Sequence, residues 1–556
     1  MALATLYWTQ RRWADSERQF QAAMALAPKN PTPRAALANL YLSQGQEARA
    51  ENLLAETKRE LPDDPAAYRL LGYFYLARGE NAKALAEFAS LSTEHPRDLD
   101  SRKERVQLLI LNHRVEDAAG LNNKILKESP HDAVALILSA QIDMQLKRYD
   151  EAIRSLQQAM TSATASSAHY YLGLVYQQRS DVERAESEWE KAVQLQPGLV
   201  QAWKALATLA AQSGDWSRLE TISARIKEIA PRAVDGYLFH AAARYNRGDA
   251  LAAEADYKIL ADLVPNSGLG DAKLGELRVH QNRLSEAETL FHQALHREPR
   301  SIEAVEGLVE LDFRRGQPDK ALQLVQAHLA SDPNNSGLCL LLAKAQLSEQ
   351  KPSDAEQSAR HCLALQGDNL DTLTLLAQAQ ASNRHIDSAI LSYQKAIERA
   401  PNNAALYVAL GSLYESQGNW KRAEALYQKA LAVDASDGVA ANNLAFGMLE
   451  HGEDENVALT LAETARRALP GQPSVADTLG WAYFHIGAFR TAAMLLEEAT
   501  KSAANNQTYH YHLALTYQRM QDCRRFREEV NKTISIDPDS RISEQVRRAL
   551  LEGCAM

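Results

Sequence analysis

Two histidines have a spacing that could bind a metal ion. His292 and His296 lie four residues apart in a stretch that predicts a helix, so both imidazoles share one face, as in many zinc sites. A catalytic or structural zinc site needs at least one more protein ligand, and none is suitably placed nearby. We therefore expect a solvated helix face, with no metal and no cofactor.

Other catalytic signals fail in the same way. Gly268-Leu269-Gly270 could begin a phosphate-binding loop, but no strand-like stretch precedes it and no Lys-Ser/Thr pair follows it. The sequence contains no GxSxG, HExxH or GxxxxGK[ST] motif, and no paired carboxylates beyond those of ordinary helix surfaces. These observations predict a protein that is not an enzyme.

The four cysteines lack the spacing of metal or redox motifs. Cys339 and Cys362 fall where apolar residues would be expected on two neighbouring predicted helices, so we expect them to act as small hydrophobic side chains in the core. Cys523 and Cys554 show no motif either. The cysteines alone do not decide the compartment.

One group of aromatic and polar residues is better suited to recognition than to catalysis. Its members recur at intervals of 34 or 35 residues near the end of the chain. Aromatic rings bury a large area at low entropic cost, and flanking polar groups add hydrogen bonds, which is the composition of a binding hot spot. The alternative is that these rings only pack on the neighbouring helix. The candidate binding residues are Asn442, Phe446, Asp477, Trp481, Phe484 and Tyr511.

The element that positions these residues is a helix pair, seen most clearly in residues Ala404–Ala435. Tyr407, Leu410, Gly411 and Tyr414 follow i, i+3, i+4, i+7 spacing, which predicts a first helix. Gly418 ends it, and a second apolar stripe follows at the same spacing. Such a hairpin has apolar residues on both sides and cannot bury them alone, so it needs neighbours of the same kind.

Such neighbours are present, because prolines recur at intervals of 34 residues along the chain and each one ends a unit. Numbering positions 1 to 32 so that each unit ends at the proline gives 16 units, with Gly or Ala at position 8 in all but two. The prolines that close units at this interval, some after gaps, are Pro28, Pro62, Pro96, Pro130, Pro197, Pro231, Pro265, Pro299, Pro333, Pro401, Pro470 and Pro538.

This pattern resembles the tetratricopeptide repeat (TPR) family over essentially the whole chain. The resemblance implies an all-α, right-handed superhelical solenoid of about 16 helix pairs. A last helix, roughly Ser540–Leu551, is predicted to cap the stack. The resemblance also implies a concave groove lined by positions 2, 5, 9 and 12 of the first helices, in which a protein or peptide partner would bind.

Two groove chemistries known in this family are absent from the sequence. Chaperone-binding members hold a carboxylate with Lys at position 5 and Asn at position 9, and no unit has that pair. O-linked N-acetylglucosamine transferases carry a ladder of asparagines at position 6, where Asn443 stands alone. The strings Asn442–Ala445 and Asp477–Tyr483 look instead like those of bacterial envelope TPR proteins associated with exopolysaccharide export.

The fourth unit departs from the repeat pattern. Arg102 and Arg105 stand at positions 4 and 7, where other units carry large apolar side chains, and Val106 stands at position 8. We expect looser packing there, with both guanidinium groups reaching solvent along their aliphatic stems.

Composition limits the possible partners. The chain has 556 residues, and its formal charge of −10 is spread along the helices, which argues against nucleic acid as the main partner. No run of about 18 apolar residues is present, so we predict no transmembrane helix.

We expect four segments: an N-terminal array over 1–164, a central array over 165–437, C-terminal repeats over 438–538, and a capping helix with a tail over 539–556. The first boundary rests on the loop-like stretch Thr161–Ala168. The first unit begins inside a helix, so we expect a cut upstream sequence, with weak self-association through Leu3, Leu6 and Tyr7.

Two functions of different classes follow. The first is a non-catalytic scaffold that binds partner segments in its groove, possibly in a bacterial envelope or exopolysaccharide assembly. The second is a regulatory or substrate-recruiting arm of a larger enzyme or transporter whose other domain lies upstream of Met1. The first hypothesis slightly favours the bacterial periplasm or cell envelope over the cytoplasm.

Overall fold

All regular structure in the described part of the chain is helical. The structure, a computed structural model, describes residues 1–552, in which there are 34 α-helices and no strand. The chain divides into two compact units, Met1–Pro265 and a second that begins at Asn266. No described helix has both the length and the apolar character that a membrane span needs.

The first unit contains eight helix pairs, and the third pair has its first helix interrupted at Arg69. Its helices are α1 (Ala2–Thr9), α2 (Trp13–Leu26), α3 (Thr32–Ser43), α4 (Glu47–Glu60), α5 (Pro65–Tyr68), α6 (Leu70–Ala77), α7 (Asn81–Glu94), α8 (Leu99–Leu111), α9 (Val115–Glu128), α10 (Ala133–Gln145), α11 (Tyr149–Gln158), α12 (Ala165–Gln178), α13 (Val182–Leu195), α14 (Val200–Gln212), α15 (Trp216–Ile229), α16 (Val234–Asn246) and α17 (Ala250–Leu263).

The second unit contains eight further pairs and a final single helix. Its helices are α18 (Leu269–His280), α19 (Leu284–Arg297), α20 (Ile302–Arg314), α21 (Pro318–Ser331), α22 (Ser336–Ser348), α23 (Pro352–Gln366), α24 (Leu370–Ser382), α25 (Ile386–Arg399), α26 (Ala404–Ser416), α27 (Trp420–Val433), α28 (Gly438–Glu450), α29 (Glu455–Ala468), α30 (Pro473–His485), α31 (Phe489–Ser502), α32 (Gln507–Arg519), α33 (Cys523–Ile536) and α34 (Arg541–Glu552).

The predicted fold class is confirmed: each unit is built from stacked helix pairs of a superhelical TPR solenoid, and α34 follows the sixteenth pair. Val546 and Ala549 of α34 are buried against that pair, as expected, whereas Leu550 is largely exposed. The boundaries expected after residues 164 and 437 stay predictions. The loop before the first of them is shorter than the sequence suggested, because α12 already begins at Ala165.

A small residue at position 8 lets the two helices of a pair approach closely. A Cβ added to Gly411 would lie 2.7 Å from Cε1 of Tyr427, and one added to Gly72 would lie 2.7 Å from Cε2 of Phe88. In both pairs the aromatic ring comes from position 24 of the second helix. The ring therefore fills the space that a larger residue at position 8 would need.

Each of the 16 pairs turns through one residue with positive φ. Glycine provides this conformation in half of the pairs, for example Gly418 at φ 72°. In the others a residue with a side chain adopts it, such as Lys147 at φ 58° and Arg384 at φ 59°. The turn geometry is therefore set by the pairing of the helices, since it persists where the residue disfavours it.

The side chain at position 4 often donates a hydrogen bond to the proline carbonyl that ends the preceding pair. Tyr407 donates its hydroxyl to the carbonyl of Pro401 (2.9 Å), and the indole of Trp203 donates to the carbonyl of Pro197 (2.9 Å). Arg102 uses the same position: its guanidinium bonds Pro96 O (3.3 Å) and both carboxylate oxygens of Glu128 (2.6 and 2.9 Å). The expectation that Arg102 reaches solvent is wrong, because these partners hold it at 7% exposure.

Cys339 and Cys362 are buried in the core, as predicted, but the expectation that they act as separate hydrophobic side chains is wrong. They form a disulfide between α22 and α23, with their Cα atoms 5.7 Å apart. Positions 4 and 27 face each other across the hairpin at a separation that a disulfide can span. Cys523 is disulfide-bonded as well, and Cys554 and the rest of the tail after residue 552 lie outside the described residues.

Candidate partner-binding surface

The six candidate residues lie on three successive first helices of the second unit. Asn442 and Phe446 belong to α28, Asp477, Trp481 and Phe484 to α30, and Tyr511 to α32. The repeat places them at positions 5, 9 and 12, which bring residues of neighbouring first helices side by side. Their burial, however, divides them into two groups.

Trp481 is buried at 7% exposure. Its ring stacks on His512 with 4.1 Å between centroids and on Phe484 with 4.5 Å, and its Nε1 donates to Oε1 of Glu450 (3.1 Å). Each face of the indole and its single donor thus has a partner within the protein. This is the packing alternative considered for the ring, and it makes Trp481 a support for the surface.

Asp477 is also buried, at 2% exposure. Both of its carboxylate oxygens lie 3.0 Å from Nδ1 of His512, which is buried too. The pair joins α30 to α32 and fixes the imidazole that stacks on Trp481. A buried pair of this kind contributes to one defined arrangement, since removing either partner leaves an uncompensated polar group.

Phe446, Phe484 and Tyr511 are only half-buried. Burial, reinforced by the charge of Glu450, raises the pKa of the Tyr511 hydroxyl, which therefore stays a neutral hydrogen-bonding group. Phe446 lies 6.3 Å from the ring of His512. The exposed parts of these three rings form the accessible aromatic area of the surface.

Phe484 and Tyr511 line an open pocket of about 720 Å³ that reaches the capping helix. Leu515 and Ala549 add apolar area. The polar lining consists of Gln518, Arg519, Gln545 and Arg548. A pocket with aromatic walls and a few polar groups is the usual composition of a recognition site.

The sequence did not indicate that Arg519 and residues of α34 would line this pocket. The guanidinium of Arg519 lies over the ring of Phe484, 6.0 Å from its centroid, and it forms no ion pair with any residue in the described part of the chain. Arg548, by contrast, pairs with Glu544 (2.5 Å). Positions 12 and 13 of the sixteenth unit, Gln518 and Arg519, were the available signal, since position 12 was already expected to face the groove.

Asn442 has an unsatisfied polar atom. Its Oδ1 is buried and accepts no hydrogen bond, while its Nδ2 donates to Oδ1 of Asn443 (3.3 Å). Leaving a buried acceptor unpaired costs about 1–3 kcal/mol. Because this oxygen is buried, it is closed to a partner as well as to water.

The histidine pair and the Gly-Leu-Gly stretch, which the sequence analysis did not favour as zinc and phosphate sites, gain no support as such sites from the structure. Within residues 1–552, no three His, Cys, Asp or Glu side chains come together as a metal site would require. Gly268 and Gly270 lie at the start of α18, where Gly268 packs on the backbone of Ala294: an added Cβ would lie 2.6 Å from its carbonyl oxygen.

Family models of the tetratricopeptide repeat match much of the chain. One matches residues 7–73, 109–173 and 278–345, and a second matches residues 75–133 and 374–440. A comparison with curated protein sequences finds no match.

A comparison with solved structures matches the crystal structure of the APC/C hetero-tetramer Cut9-Hcn1, at 14% identity and a TM-score of 0.44, covering 99% of this chain and 95% of that one. The crystal structure of MamA is similar over 29% of this chain and 94% of its own, at 23% identity and a TM-score of 0.27. The family models together take in more than half of the residues, and the helix pairs have the spacing that those models describe. The chain belongs to the tetratricopeptide repeat family.

Proposed function

We propose that this protein is a non-catalytic scaffold that binds a segment of a partner protein on the concave surface of its C-terminal repeats. TPR arrays act as protein-interaction scaffolds through extended concave surfaces. The observation that carries the proposal is the pocket beside Phe484 and Tyr511, which combines half-buried rings with the guanidinium of Arg519, for which residues 1–552 provide no ion-pair partner.

The six candidate residues have two roles in this proposal. Asn442, Phe446, Phe484 and Tyr511 contact the partner. Asp477 and Trp481 hold that surface in place from behind, because both are buried and both contact His512. Asn442 is half-buried and would contact the segment with its accessible part, and the rings would cover an apolar side chain of the bound segment.

A peptide selection on the full chain tests this proposal. Displayed random peptides are selected on the wild-type protein, and the affinity of the enriched peptides is then measured on Phe484→Ala and Tyr511→Ala. We expect each substitution to weaken binding by about 2 kcal/mol, as for a hot-spot ring. The unfolding midpoint should change little for Tyr511→Ala and fall moderately for Phe484→Ala, because the ring of Phe484 also stacks on Trp481.

Tyr73→Ala is the matched control, because Tyr73 is an aromatic residue at position 9 of a distant repeat and is 40% exposed. It should leave the affinity of the selected peptides unchanged. If Tyr73→Ala weakens binding as much as Phe484→Ala does, or if neither pocket substitution has an effect, the proposed site is wrong.

We further propose that the protein works in a bacterial cell envelope, in an assembly such as one for exopolysaccharide export. The disulfide between Cys339 and Cys362 supports an oxidising compartment, where such bonds persist. Alkylation of free thiols at the moment of lysis of the native cells tests this. Both cysteines should be protected until a reductant is added; rapid labelling without reductant would contradict the proposal.

Self-association is proposed through the outer face of α1. Leu3 and Leu6 are 46% and 51% exposed there, and contiguous apolar surface of this kind favours contacts between molecules. Sedimentation at rising protein concentration should show weak association that Leu3→Ser with Leu6→Ser removes. Equal sedimentation of the wild type and the double variant would contradict it.

A further inference from the structure

The core of the fourth helix pair contains an arginine where the repeat normally has leucine. Position 7 is Leu in 13 of the 16 pairs, and in the fourth pair it is Arg105 on α8. The fifth and eighth pairs also have polar residues there: Ser139 is small and uncharged, and His240 has a partner in the carboxylate of Asp256 (2.5 Å). Arg105 therefore requires its own explanation.

Arg105 lines an open cleft of about 580 Å³ between the second helices α7 and α9. Small residues keep the cleft open: Ala82, Ala86 and Ala89 follow one face of α7, and Gly120 stands on α9, where an added Cβ would meet no atom within 4 Å. The stretch of α7 from Ala82 to Ala89 is about 10 Å long, or two helical turns.

The guanidinium of Arg105 has no partner in the cleft. Its Nε is buried without a hydrogen bond, and the side chain forms no ion pair with any residue that the structure describes. The nearby carboxylate of Asp117 is paired with Arg114 (2.6 Å), and that of Glu128 with Arg102. The two Nη groups are not among the buried atoms, and an arginine fork that lines a cleft in this way is suited to bidentate binding of a carboxylate.

We propose that this cleft binds an α-helical segment of a partner protein that carries one Asp or Glu among small apolar residues. The carboxylate would accept hydrogen bonds from the two Nη atoms of Arg105, since the buried Nε is closed to a ligand, while Leu85, Leu109 and Leu121 cover the apolar side chains. The Ala and Gly walls allow a helix backbone to come close, and charged residues such as Lys124 form the polar rim usual for protein interfaces. The cleft lies on second helices of the first unit, separate from the C-terminal surface.

Two synthetic peptides test the proposal. Both are stapled helices about four turns long, made of Ala and Leu, and they differ only in a central Glu or Gln. On the wild-type full chain, we expect the Glu peptide to bind at least about tenfold more tightly than the Gln peptide, because only a carboxylate forms the charged pair. Equal affinities would overturn the proposal, and this comparison needs no protein variant.

Arg105→Leu provides the second test, since it restores the residue found in most other pairs and should fold at least as stably. We expect it to bind the Glu peptide at least about tenfold more weakly than the wild type, with Arg105→Lys intermediate because it keeps the charge but loses the fork. Unchanged binding by Arg105→Leu would overturn the proposal.

Hexanoate tests the kind of ligand. If this small carboxylate binds through Arg105 as tightly as the Glu peptide does, a partner helix is the wrong occupant. Phe484→Ala is the control for site identity, and it should leave the affinity of the Glu peptide unchanged.

Discussion

Position 5 of the first helices is occupied differently in the two units. In the first unit its cations are paired with carboxylates of the following repeat. Arg69 pairs with Asp98, and Lys103 lies 3.1 Å from a carboxylate oxygen of Asp132. Lys204 pairs with Asp235 in the same way. In the second unit, position 5 carries Asn442, with an unpaired oxygen, and Tyr511, which borders a pocket.

The same repeat can therefore carry position-5 charges that are paired within the protein, or position-5 groups that border a pocket. Where the following repeat supplies a carboxylate, the position-5 cation pairs with it and is less available to a carboxylate of a ligand. This pairing agrees with the sequence, in which no unit has the Lys and Asn of a chaperone-type clamp. Where the neighbours supply rings and amides, binding capacity remains.

The largest effect is expected from Trp481→Ala, which removes the support of the candidate surface. Deleting a buried ring that stacks on His512 and Phe484 should lower the free energy of unfolding by about 3–5 kcal/mol. Urea unfolding measures this, with Tyr73→Ala as the exposed control at position 9. A stable Trp481→Ala protein that has lost partner binding would instead place the indole in the contact surface.

Asp98→Asn should remove the ion pair with Arg69 and lower the free energy of unfolding by about 2–3 kcal/mol, because Arg69 loses its partly buried carboxylate partner. Burial opposes ionisation of Asp98, but hydrogen bonds from Arg69, Ser101 and Tyr68 outweigh it and lower its pKa from 3.8 to about 2. A carboxyl with a lowered pKa stabilises the fold above pH 3.8, and that contribution is lost as the pH falls towards 2.

Unfolding midpoints of the wild type and Asp98→Asn between pH 2 and pH 7 test this linkage. The gap between the two proteins should be greatest near neutral pH and should narrow below pH 4. A gap that stays constant over the whole range would show that the ion pair does not stabilise the fold.

Leucine substitutions at position 8 test whether the helix pairs of the two units are packed alike. Gly411→Leu in the second unit and Gly72→Leu in the first should each cost about 2 kcal/mol through overpacking, since an added Cβ meets an aromatic ring at 2.7 Å in both. Gly120→Ala, which faces open space, is the control and should not destabilise. Very different costs for the two leucine variants would mean that the helix pairs are not packed alike.

The smallest effect is expected at the turns. Lys147→Gly in the first unit and Arg384→Gly in the second should each stabilise by about 1 kcal/mol, because glycine adopts positive φ without a steric cost. Gly418→Ala should destabilise by a similar amount. Thermal unfolding of the three variants measures these shifts, and a destabilised Lys147→Gly would show that its side chain contributes more than the turn geometry costs.

The sequence predicted the helix pairs and their stacking well, because the pattern that determines them repeats along the chain. The 34-residue interval, the small residue at position 8 and the apolar side of α34 each depend on local spacing, so the 16 pairs and the last helix were readable. The pairing of Arg102 with Glu128 was not, because periodicity tells which face a residue occupies but not which partner 26 residues away it meets.

The candidate surface was predictable only in part for the same reason. Spacing placed Phe446, Phe484 and Tyr511 on neighbouring helices. It did not show that His512 would stack on Trp481 and bury it, since that depends on side-chain conformations in two repeats. Arg519 was missed because a single exposed arginine resembles any solvated residue until the ring beneath it is seen.

The disulfide within the eleventh pair has a mechanical consequence. A stacked array pulled from its two ends lengthens as successive helix pairs unravel, and each pair releases its full contour length. Cys339 and Cys362 are 23 residues apart, so the bond withholds about 80 Å of extended chain from that pair. Under tension, the oxidised protein is therefore shorter at full extension than the reduced protein, because the segment between Cys339 and Cys362 cannot be extended while the disulfide is intact.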